Sequence, residues 1–347
     1  MSEFSPSHAS GSGSDGAILE IRGLTTEFPG RQNPTVIVDD ISLSVRRGET
    51  LAVVGESGSG KTMTFHSALG IVPHPGRVTR GEVLLDGVDL MRLTPEELRQ
   101  RRGSEIAIVF QDPLTALNPV FSIGDQIIEV LRAHLPITRR EARKRAIAVL
   151  ARVQIPDPHR RIDDYPHQFS GGMRQRALIA MAIALGPKVL IADEPTTALD
   201  VTVQAQVLEL LRDLQRDTGM GLVLITHDLG VVARHADSVA VLYAGRVMEQ
   251  GTAERVFEHP RHPYTVSLFR SIPHLDTIAG SDLVPIEGQP PNPALLPTGC
   301  AFEPRCYLGH GHGQCTTERP PLVTAQAPEH QTRCWRWTEL ETSMGPV

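Results

Sequence analysis

The fold of this chain is decided by the stretch Leu51-Ala-Val-Val-Gly55-Glu-Ser-Gly-Ser-Gly-Lys61-Thr62. It is an apolar strand that runs into the pattern G-x-x-x-x-G-K-[ST], in which backbone N–H groups cradle the phosphates of a nucleotide. Glycines allow the backbone angles that turn successive N–H groups toward one anion, and the helix that follows points its positive end at the same anion. The pattern therefore predicts a phosphate-binding loop (P-loop).

The side chains of this loop have distinct expected roles. Lys61 should reach the β- and γ-phosphates, and the Thr62 hydroxyl should bind Mg²⁺. The alternative is a glycine-rich turn with a solvated lysine, but the strand before the loop and the helical pattern after it argue against that alternative. The residues expected to contact the nucleotide are Gly55, Glu56, Ser57, Gly58, Ser59, Gly60, Lys61 and Thr62.

A second apolar run, residues 189–192, ends in the carboxylates of Asp193 and Glu194. This pattern predicts a central parallel strand that brings two acids to the carboxyl edge of a sheet. Asp193 is expected to hold Mg²⁺ through water, and Glu194 to orient or deprotonate the attacking water. The alternative, in which the two acids cap a helix before Pro195, is weaker beside a P-loop.

The most diagnostic element lies between these strands and is Phe169-Ser-Gly-Gly-Met173-Arg-Gln-Arg176. Ser170 can cap the helix that follows, and the two glycines leave N–H groups open to an anion. An ordinary glycine-rich helix start is the alternative. Because the chain already has one complete phosphate loop, a second anion-binding helix end implies a second nucleotide.

This element resembles the signature motif of the ATP-binding cassette (ABC) family. In that family, the signature helix of one subunit closes over the γ-phosphate held by the P-loop of its partner. Phe169 and Met173 replace the outer residues of the usual Leu-Ser-Gly-Gly-Gln, a variation of the dipeptide/oligopeptide branch. The resemblance places the following residues against a partner's ATP: Ser170, Gly171, Gly172, Met173, Gln175 and Asp200.

Four further positions match the motifs of that family. Gln111 resembles the Q-loop glutamine that ligates Mg²⁺ and senses the membrane partner, and Thr197-Ala-Leu-Asp200 resembles the D-loop at the dimer interface. Asp200 can also act as a helix N-cap, because an amphipathic helix follows it. His227 resembles the H-switch that contacts the γ-phosphate. Phe28 is the candidate aromatic for stacking on adenine, with a place in the core as its alternative.

Length, composition and charge limit the class of protein. At 347 residues the chain can bury a large core, and 40% hydrophobic with only 4% aromatic residues suits an α/β protein. A formal charge of −6 gives no general attraction to nucleic acid. No apolar run approaches the roughly 20 residues that span a bilayer, and the N-terminus does not resemble a secretory signal. We therefore expect a cytoplasmic protein that acts at a membrane through partners.

The composition predicts three segments. Residues 1–17 are expected to form a disordered tail. Residues 18–258 are predicted to be an α/β P-loop NTPase, the ABC nucleotide-binding domain, with a RecA-like core. Within it, residues from about 94 to 167 resemble the helical subdomain of the family, with helical spacing at 123–134 and 139–153.

The third segment, residues 259–347, carries 13 of the 27 prolines and all four cysteines. It lacks strand–helix alternation, so we predict a small, loop-rich extension held together by something other than a hydrophobic core. His262-Pro-Tyr-Thr265, Ile286-Glu-Gly-Gln-Pro-Pro291 and the stretch 296–306 resemble the C-terminal extension of peptide-importer ATPases.

The cysteines Cys300, Cys306, Cys315 and Cys334 are separated by 5, 8 and 18 residues. A reducing cytoplasm argues against disulfides, so a metal site is predicted. Four cysteines are the usual ligands of a [4Fe–4S] cluster and a common zinc set, and the spacing matches neither a ferredoxin run nor a zinc ribbon. The resemblance implies a cluster. Zinc, with His310 or His312 as a substitute ligand, and unliganded thiols remain open.

The resemblance implies an ATP-hydrolysing, energy-coupling subunit of a membrane importer for di- or oligopeptides, at the cytoplasmic face of the membrane. Its cofactors are ATP and Mg²⁺. Its partners are a second ABC ATPase subunit, which the branch favours as a distinct homologous chain, two transmembrane permease subunits and an extracytoplasmic solute-binding protein. Importers of nickel or other small solutes and ABC ATPases of DNA repair or translation are the alternatives. A non-hydrolysing relative would be expected to lose Lys61, Glu194 or His227.

Overall fold

A computed structural model of the protein describes residues 16–30, 33–197, 199–271, 286–325 and 327–340. The predicted tail lies outside these ranges except for its last two positions. Ala198 of the predicted D-loop and the chain end after residue 340 also lie outside them.

The strands are β1 (Ala17–Phe28), β2 (Thr35–Arg46), β3 (Thr50–Val54), β4 (Arg77–Leu85), β5 (Val88–Asp89), β6 (Ile106–Val109), β7 (Val189–Asp193), β8 (Gly221–Ile225), β9 (Ser238–Tyr243), β10 (Arg246–Thr252), β11 (Val323–Thr324) and β12 (Gln331–Thr332). The α-helices are α1 (Lys61–Ala68), α2 (Pro95–Arg101), α3 (Pro113–Ala116), α4 (Ile123–His134), α5 (Arg139–Arg152), α6 (Pro158–Arg161), α7 (Gly171–Ile183), α8 (Val201–Thr218), α9 (Leu229–His235), α10 (Ala253–Glu258), α11 (Pro263–Arg270) and α12 (Gly313–Thr317).

The larger sheet places all the nucleotide motifs at one edge. Its parallel strands follow the order β9-β3-β8-β7-β6, and β10, β12 and β11 extend it on the β9 side by antiparallel pairing. Every residue of β3, β7 and β8 is buried, as expected for strands covered on both faces. Because parallel strands end at the same edge, the segments after β3, β6, β7 and β8 meet there.

A second, antiparallel sheet has the strand order β2-β1-β4-β5. Its apolar residues share one core with β3, β7 and β8 of the larger sheet. Phe65 of α1 is fully buried in this core, which fixes the helix that follows the P-loop. The predicted α/β fold is confirmed.

The helices α4, α5 and α7 pack around a second core. The predicted helix at 123–134 coincides with α4, and the one at 139–153 ends one residue earlier as α5. Each begins at a hydroxyl cap: Ser122 accepts a hydrogen bond from the N–H of Asp125, and Thr138 from the N–H of Glu141. Caps and apolar spacing together therefore fixed these boundaries.

The C-terminal region packs on the nucleotide-binding sheet, so the prediction that it lacks a hydrophobic core was wrong. Tyr264 and Phe302 are fully buried, and their rings lie 4.6 and 5.3 Å from the ring of Tyr243 in β9. In addition, β12 pairs with β10 at the sheet edge. The apolar residues of this region are few, but they share a core with the larger sheet.

In the part of the chain that the structure describes, no helix is long and apolar enough to cross a membrane. The longest helix, α8, has 18 residues and buries Val207, Leu211 and Leu214 along one side. It ends at Gly219, whose φ of 67° lies in the left-handed region favoured at helix ends.

Candidate nucleotide site

The loop between β3 and α1 has the backbone shape expected of a phosphate-binding loop. Gly58 and Gly60 have φ values of 78° and 98°, in the left-handed region that glycine tolerates. A Cβ atom at Gly55 would lie 2.2 Å from the carbonyl oxygen of Leu242, so a side chain does not fit there. Because α1 begins directly after Gly60, its positive end faces the space enclosed by the loop.

Lys61 crosses the loop. Its Nζ atom donates hydrogen bonds to the carbonyl oxygens of Gly55 at 2.7 Å and Glu56 at 3.1 Å. Burial lowers the pKa of Lys61, and the nearby carboxylates of Glu194 and Asp193 oppose that shift. The ammonium group therefore lies between the loop and two acids, where a phosphate oxygen can replace the carbonyls as its acceptor.

Thr62 in the first turn of α1 and Asp193 at the end of β7 come together. The Thr62 hydroxyl donates to Oδ1 of Asp193 at 3.1 Å, and Asp193 is 2% exposed. Burial raises the pKa of Asp193, while the Thr62 hydroxyl and the charge of Lys61 act in the opposite direction. A hydroxyl and a carboxylate side by side are oxygen ligands of the kind that Mg²⁺ prefers, so the residues fit the expected metal.

Side chains from three other motifs lie around the carboxylate of Glu194. Its Oε2 atom accepts hydrogen bonds from Nε2 of Gln111 and from Oγ1 of Thr197, both at 2.9 Å. Nδ1 of His227 lies 3.5 Å from the same atom, on a side chain that is 61% exposed. The sequence had placed Thr197 in the D-loop but had not predicted its contact with Glu194. A hydroxyl residue three positions after the acid, within a turn, is the signal that could have indicated this contact.

The backbone of Glu194 is strained. Its φ is 44°, in the left-handed region, which costs a residue other than glycine about 1–3 kcal/mol. Its N–H group donates to the carbonyl oxygen of Ile225 at 2.9 Å, and this bond to the neighbouring strand β8 holds the turn. This strained turn places Glu194 at the sheet edge, with its carboxylate directed to Gln111 and His227.

Glu56 faces the C-terminal region. Its backbone N–H donates to the hydroxyl of Tyr264 at 2.8 Å, and its carboxylate accepts from Arg305. Both groups are thus engaged by the C-terminal region, and a contact of Glu56 with the nucleotide stays a prediction. Among the remaining loop residues, Ser57 is exposed and Ser59 is buried.

The signature helix α7 begins as predicted. Ser170 is exposed and its Oγ accepts from the N–H of Met173 at 3.3 Å. Gly172 has a packing role, because a Cβ atom there would lie 2.5 Å from Cγ1 of Val203 in α8. Gln175 is 1% exposed and lies inside the molecule, so its assignment to a surface that faces a partner was wrong.

Two other predicted positions have local structural roles. Asp200 caps α8, with Oδ1 accepting from the N–H of Val203 at 3.0 Å, while Val201 beside it is highly exposed. Phe28 is half-buried at the end of β1, and its ring covers Gly76, where a Cβ atom would lie 2.5 Å from Cζ. The structure places this ring against the turn before β4, and stacking on adenine stays a prediction.

The four cysteines converge, although they come from distant parts of the C-terminal region. Cys300, Cys306, Cys315 and Cys334 line one small pocket. Burial raises the pKa of all four thiols, to about 11 for Cys300 and about 12 for Cys334. Neutral thiols are therefore favoured unless a cation compensates the thiolates.

The residues that line this pocket bear on the zinc alternative, in which a histidine replaces one cysteine. His262 lines it, whereas the predicted substitutes His310 and His312 do not. Among the described residues, no group of three or more His, Cys, Asp or Glu side chains is arranged to hold a metal ion. A zinc site with Zn–S bonds of 2.3 Å would bring the sulfur atoms to within about 3.8 Å of one another.

Two family models match the chain. One, described as ABC transporter, covers residues 38–197, and the other, described as the C-terminal region of oligopeptide/dipeptide transporters, covers residues 248–315. An oligopeptide transport ATP-binding protein of Bacillus subtilis is 48% identical over 319 residues, which are 92% of this chain and 88% of that protein. A dipeptide transport ATP-binding protein of Escherichia coli is 46% identical over 318 residues, 92% of this chain and 96% of that protein.

The fold is also similar to that of a solved ATP-binding cassette, a dimer in a post-hydrolysis state bound to ADP and Pi. The TM-score is 0.61 at 27% sequence identity, over 68% of this chain and 98% of that one. The P-loop, the paired acids after β7 and both family matches agree. The chain therefore belongs to the ATP-binding cassette family of ABC transporters, as an ATPase with the oligopeptide/dipeptide transporter C-terminal region.

Proposed function

We propose that this chain is the energy-coupling subunit of a membrane importer for di- or oligopeptides. The observation that carries the proposal is the Oε2 atom of Glu194, where groups from the Q-loop, the D-loop and the H-switch converge beside the Thr62–Asp193 pair. The peptide substrate is supported by the relatives, whose names are those of peptide transport proteins, and by the matching C-terminal region.

In this proposal, each residue of the site has one role. Glu194 acts as the general base toward the attacking water, and His227 contacts the γ-phosphate. Thr62, Gln111 and Asp193 bind Mg²⁺, while Lys61 and the N–H groups of the loop hold the phosphates. Phe28 stacks on adenine. The nucleotide-binding unit spans residues 18–258, with its helical part at about 94–167, and the C-terminal extension spans 259–347.

The partner cassette is proposed to close over this site. At the start of α7, Ser170, Gly171, Gly172 and Met173 contact the ATP of the partner, and Asp200 lies at the interface. The side chain of Val201 next to Asp200 is highly exposed, so this position is open to contact with a partner. A distinct homologous chain is the proposed partner.

The permease subunits are proposed to dock beside the Q-loop. Four large apolar side chains in this short segment are exposed, namely Phe110, Leu114, Val120 and Phe121. A groove next to them is lined by Phe121 and Ile128 and by charged residues of α4. An apolar patch of this kind is typical of a contact surface. The chain would then lie at the cytoplasmic face of the membrane, with a solute-binding protein on the other side.

We further propose that the four cysteines hold a [4Fe–4S] cluster, which when bound would tie the separate loops of the C-terminal region together. Four cysteines line one pocket, three of them buried, and four thiolates are the usual ligand set of such a cluster. The cysteine sulfur atoms around a [4Fe–4S] cluster also lie farther from one another than those around a single zinc ion. Iron and sulfide near four each per chain after anaerobic purification are the expected result, and one zinc or no metal would overturn this part.

The substrate is tested with the complex of both cassettes and the permeases in proteoliposomes, with the binding protein present. Dipeptides and longer peptides should stimulate ATP hydrolysis, and nickel chelates should not. A complex with Lys61→Ala gives the background rate. Stimulation by nickel alone would overturn the peptide assignment. A chain that does not assemble with permeases and hydrolyses ATP alone would favour a cassette ATPase outside transport.

A further inference from the structure

The C-terminal region contacts the P-loop directly at Glu56. Arg305 donates two parallel hydrogen bonds to the Glu56 carboxylate, Nη1 to Oε2 at 2.6 Å and Nη2 to Oε1 at 3.0 Å. The Arg305 side chain is 5% exposed, so solvent screens the pair little. The backbone N–H of Glu56 donates to Tyr264 at 2.8 Å. The carboxylate and the backbone N–H of Glu56 are therefore both bound by residues of the C-terminal region.

Arg305 is itself held rigidly. Its Nε donates to the carbonyl oxygen of Glu287 at 2.8 Å, and Nη1 also donates to the Tyr243 hydroxyl at 3.3 Å. The guanidinium lies 5.8 Å from the ring centre of Tyr243 and 5.9 Å from that of Phe302. Because these contacts hold the guanidinium in place, its two parallel hydrogen bonds define the position of the Glu56 carboxylate.

The same residue connects to the phosphate side of the loop. The carbonyl oxygen of Glu56 accepts hydrogen bonds from Nζ of Lys61 at 3.1 Å and from the N–H of Ser59 at 3.2 Å. The orientation of the Glu56 peptide therefore sets the start of the loop and one contact of its lysine. The Glu56 carboxylate would also repel a polyphosphate unless Arg305 neutralised it.

We propose that Arg305 is a positioning residue of the P-loop, through which the C-terminal region sets the affinity of this cassette for ATP. Arg305 holds the Glu56 carboxylate away from the phosphates and balances its charge, and Tyr264 fixes the Glu56 N–H. Because Arg305 directly precedes Cys306, the loop that lines the cysteine pocket also presents this arginine to the nucleotide site. A change in that loop is thus transmitted to the P-loop.

The test is a double-mutant cycle on the purified full-length chain, with Mg·ATP affinity measured by equilibrium titration. Arg305→Met should weaken ATP binding by about tenfold, since it leaves an unpaired acid beside the phosphates. In the Glu56→Gln background, the same substitution should change affinity by less than about threefold, since no acid is left to pair. Arg305→Lys keeps the charge but not the two parallel bonds. Its affinity for ATP should therefore lie between those of the parent protein and Arg305→Met.

Two controls separate this role from general damage. Arg143→Met removes an arginine that binds Asp163 with two bonds of 2.7 Å each in the helical part, and it should leave ATP affinity unchanged. In the assembled importer, Arg305→Met should raise KM for ATP and leave kcat within about twofold, because Arg305 contacts no reacting atom. Equal effects of Arg305→Met in both backgrounds, or loss of kcat at an unchanged KM, would overturn the proposal.

Discussion

Gly172 offers a test that separates packing from nucleotide contact in the signature motif. The Cβ atom of alanine at this position would lie 2.5 Å from Cγ1 of Val203, well inside van der Waals contact. Overpacking of this kind costs about 1–3 kcal/mol, and the better helix propensity of alanine offsets up to about 1 kcal/mol. With about 2 kcal/mol for the overpacking, the middle of its range, Gly172→Ala should lower the free energy of unfolding by about 1–2 kcal/mol.

The assay is urea unfolding followed by far-ultraviolet circular dichroism, with Gly172→Ala, Val203→Ala and the double variant. Val203→Ala removes the methyl group that clashes, so the double variant should regain most of the stability lost by Gly172→Ala. Gly171→Ala is the matched control, because its Cβ atom would meet Leu199 only at an ordinary 3.6 Å. A Gly172→Ala protein as stable as the parent would refute the packing argument. If the double variant regains stability but not ATP hydrolysis in the importer, the glycine is also needed for the partner's nucleotide.

Three further outcomes follow from the site and the C-terminal region. Burial raises the pKa of Asp193 above that of an ordinary aspartate, and Mg²⁺ binds the ionised form, so on acidification Mg²⁺ affinity should begin to fall at a higher pH than an ordinary aspartate would give. Titration with Mg²⁺ at several pH values checks this, and an affinity that falls only at the ordinary aspartate pKa of about 3.9 or below would contradict it. Phe302→Ala should lower the free energy of unfolding by about 3–5 kcal/mol, because the ring is fully buried between Tyr243 and Tyr264; a loss below about 1 kcal/mol would mean that the region does not share the core. Cys300→Ser should abolish the broad visible absorption expected of the cluster, and an unchanged spectrum would exclude Cys300 as a ligand.

Much of the fold was predictable because its signals are local. Apolar runs of four or five residues ending in Gly55 or Asp193 predict buried parallel strands, and α4 and α5 are marked by caps and spacing. The catalytic candidates were also found in this way, because each follows directly after a strand whose carboxyl end lies at one sheet edge.

The remaining features depend on contacts between distant parts of the chain. Gln175 is a polar residue on a helix that starts at the surface, and only the packing of α7 shows that it is buried. Tyr264 and Phe302 lie among prolines and loops, where periodicity gives no sign that they pack on β9. The Glu56–Arg305 pair joins residues 249 positions apart, which no local pattern can indicate.

The central claim is that ATP hydrolysis at Glu194 drives transport, and the most direct test is peptide import into proteoliposomes by a complex that carries Glu194→Gln. Glutamine keeps the shape of the side chain but cannot accept the proton of the attacking water. ATP hydrolysis at this site should fall by at least about a hundredfold, peptide import should stop, and ATP should remain bound. Import and hydrolysis at the parental rate would contradict the account.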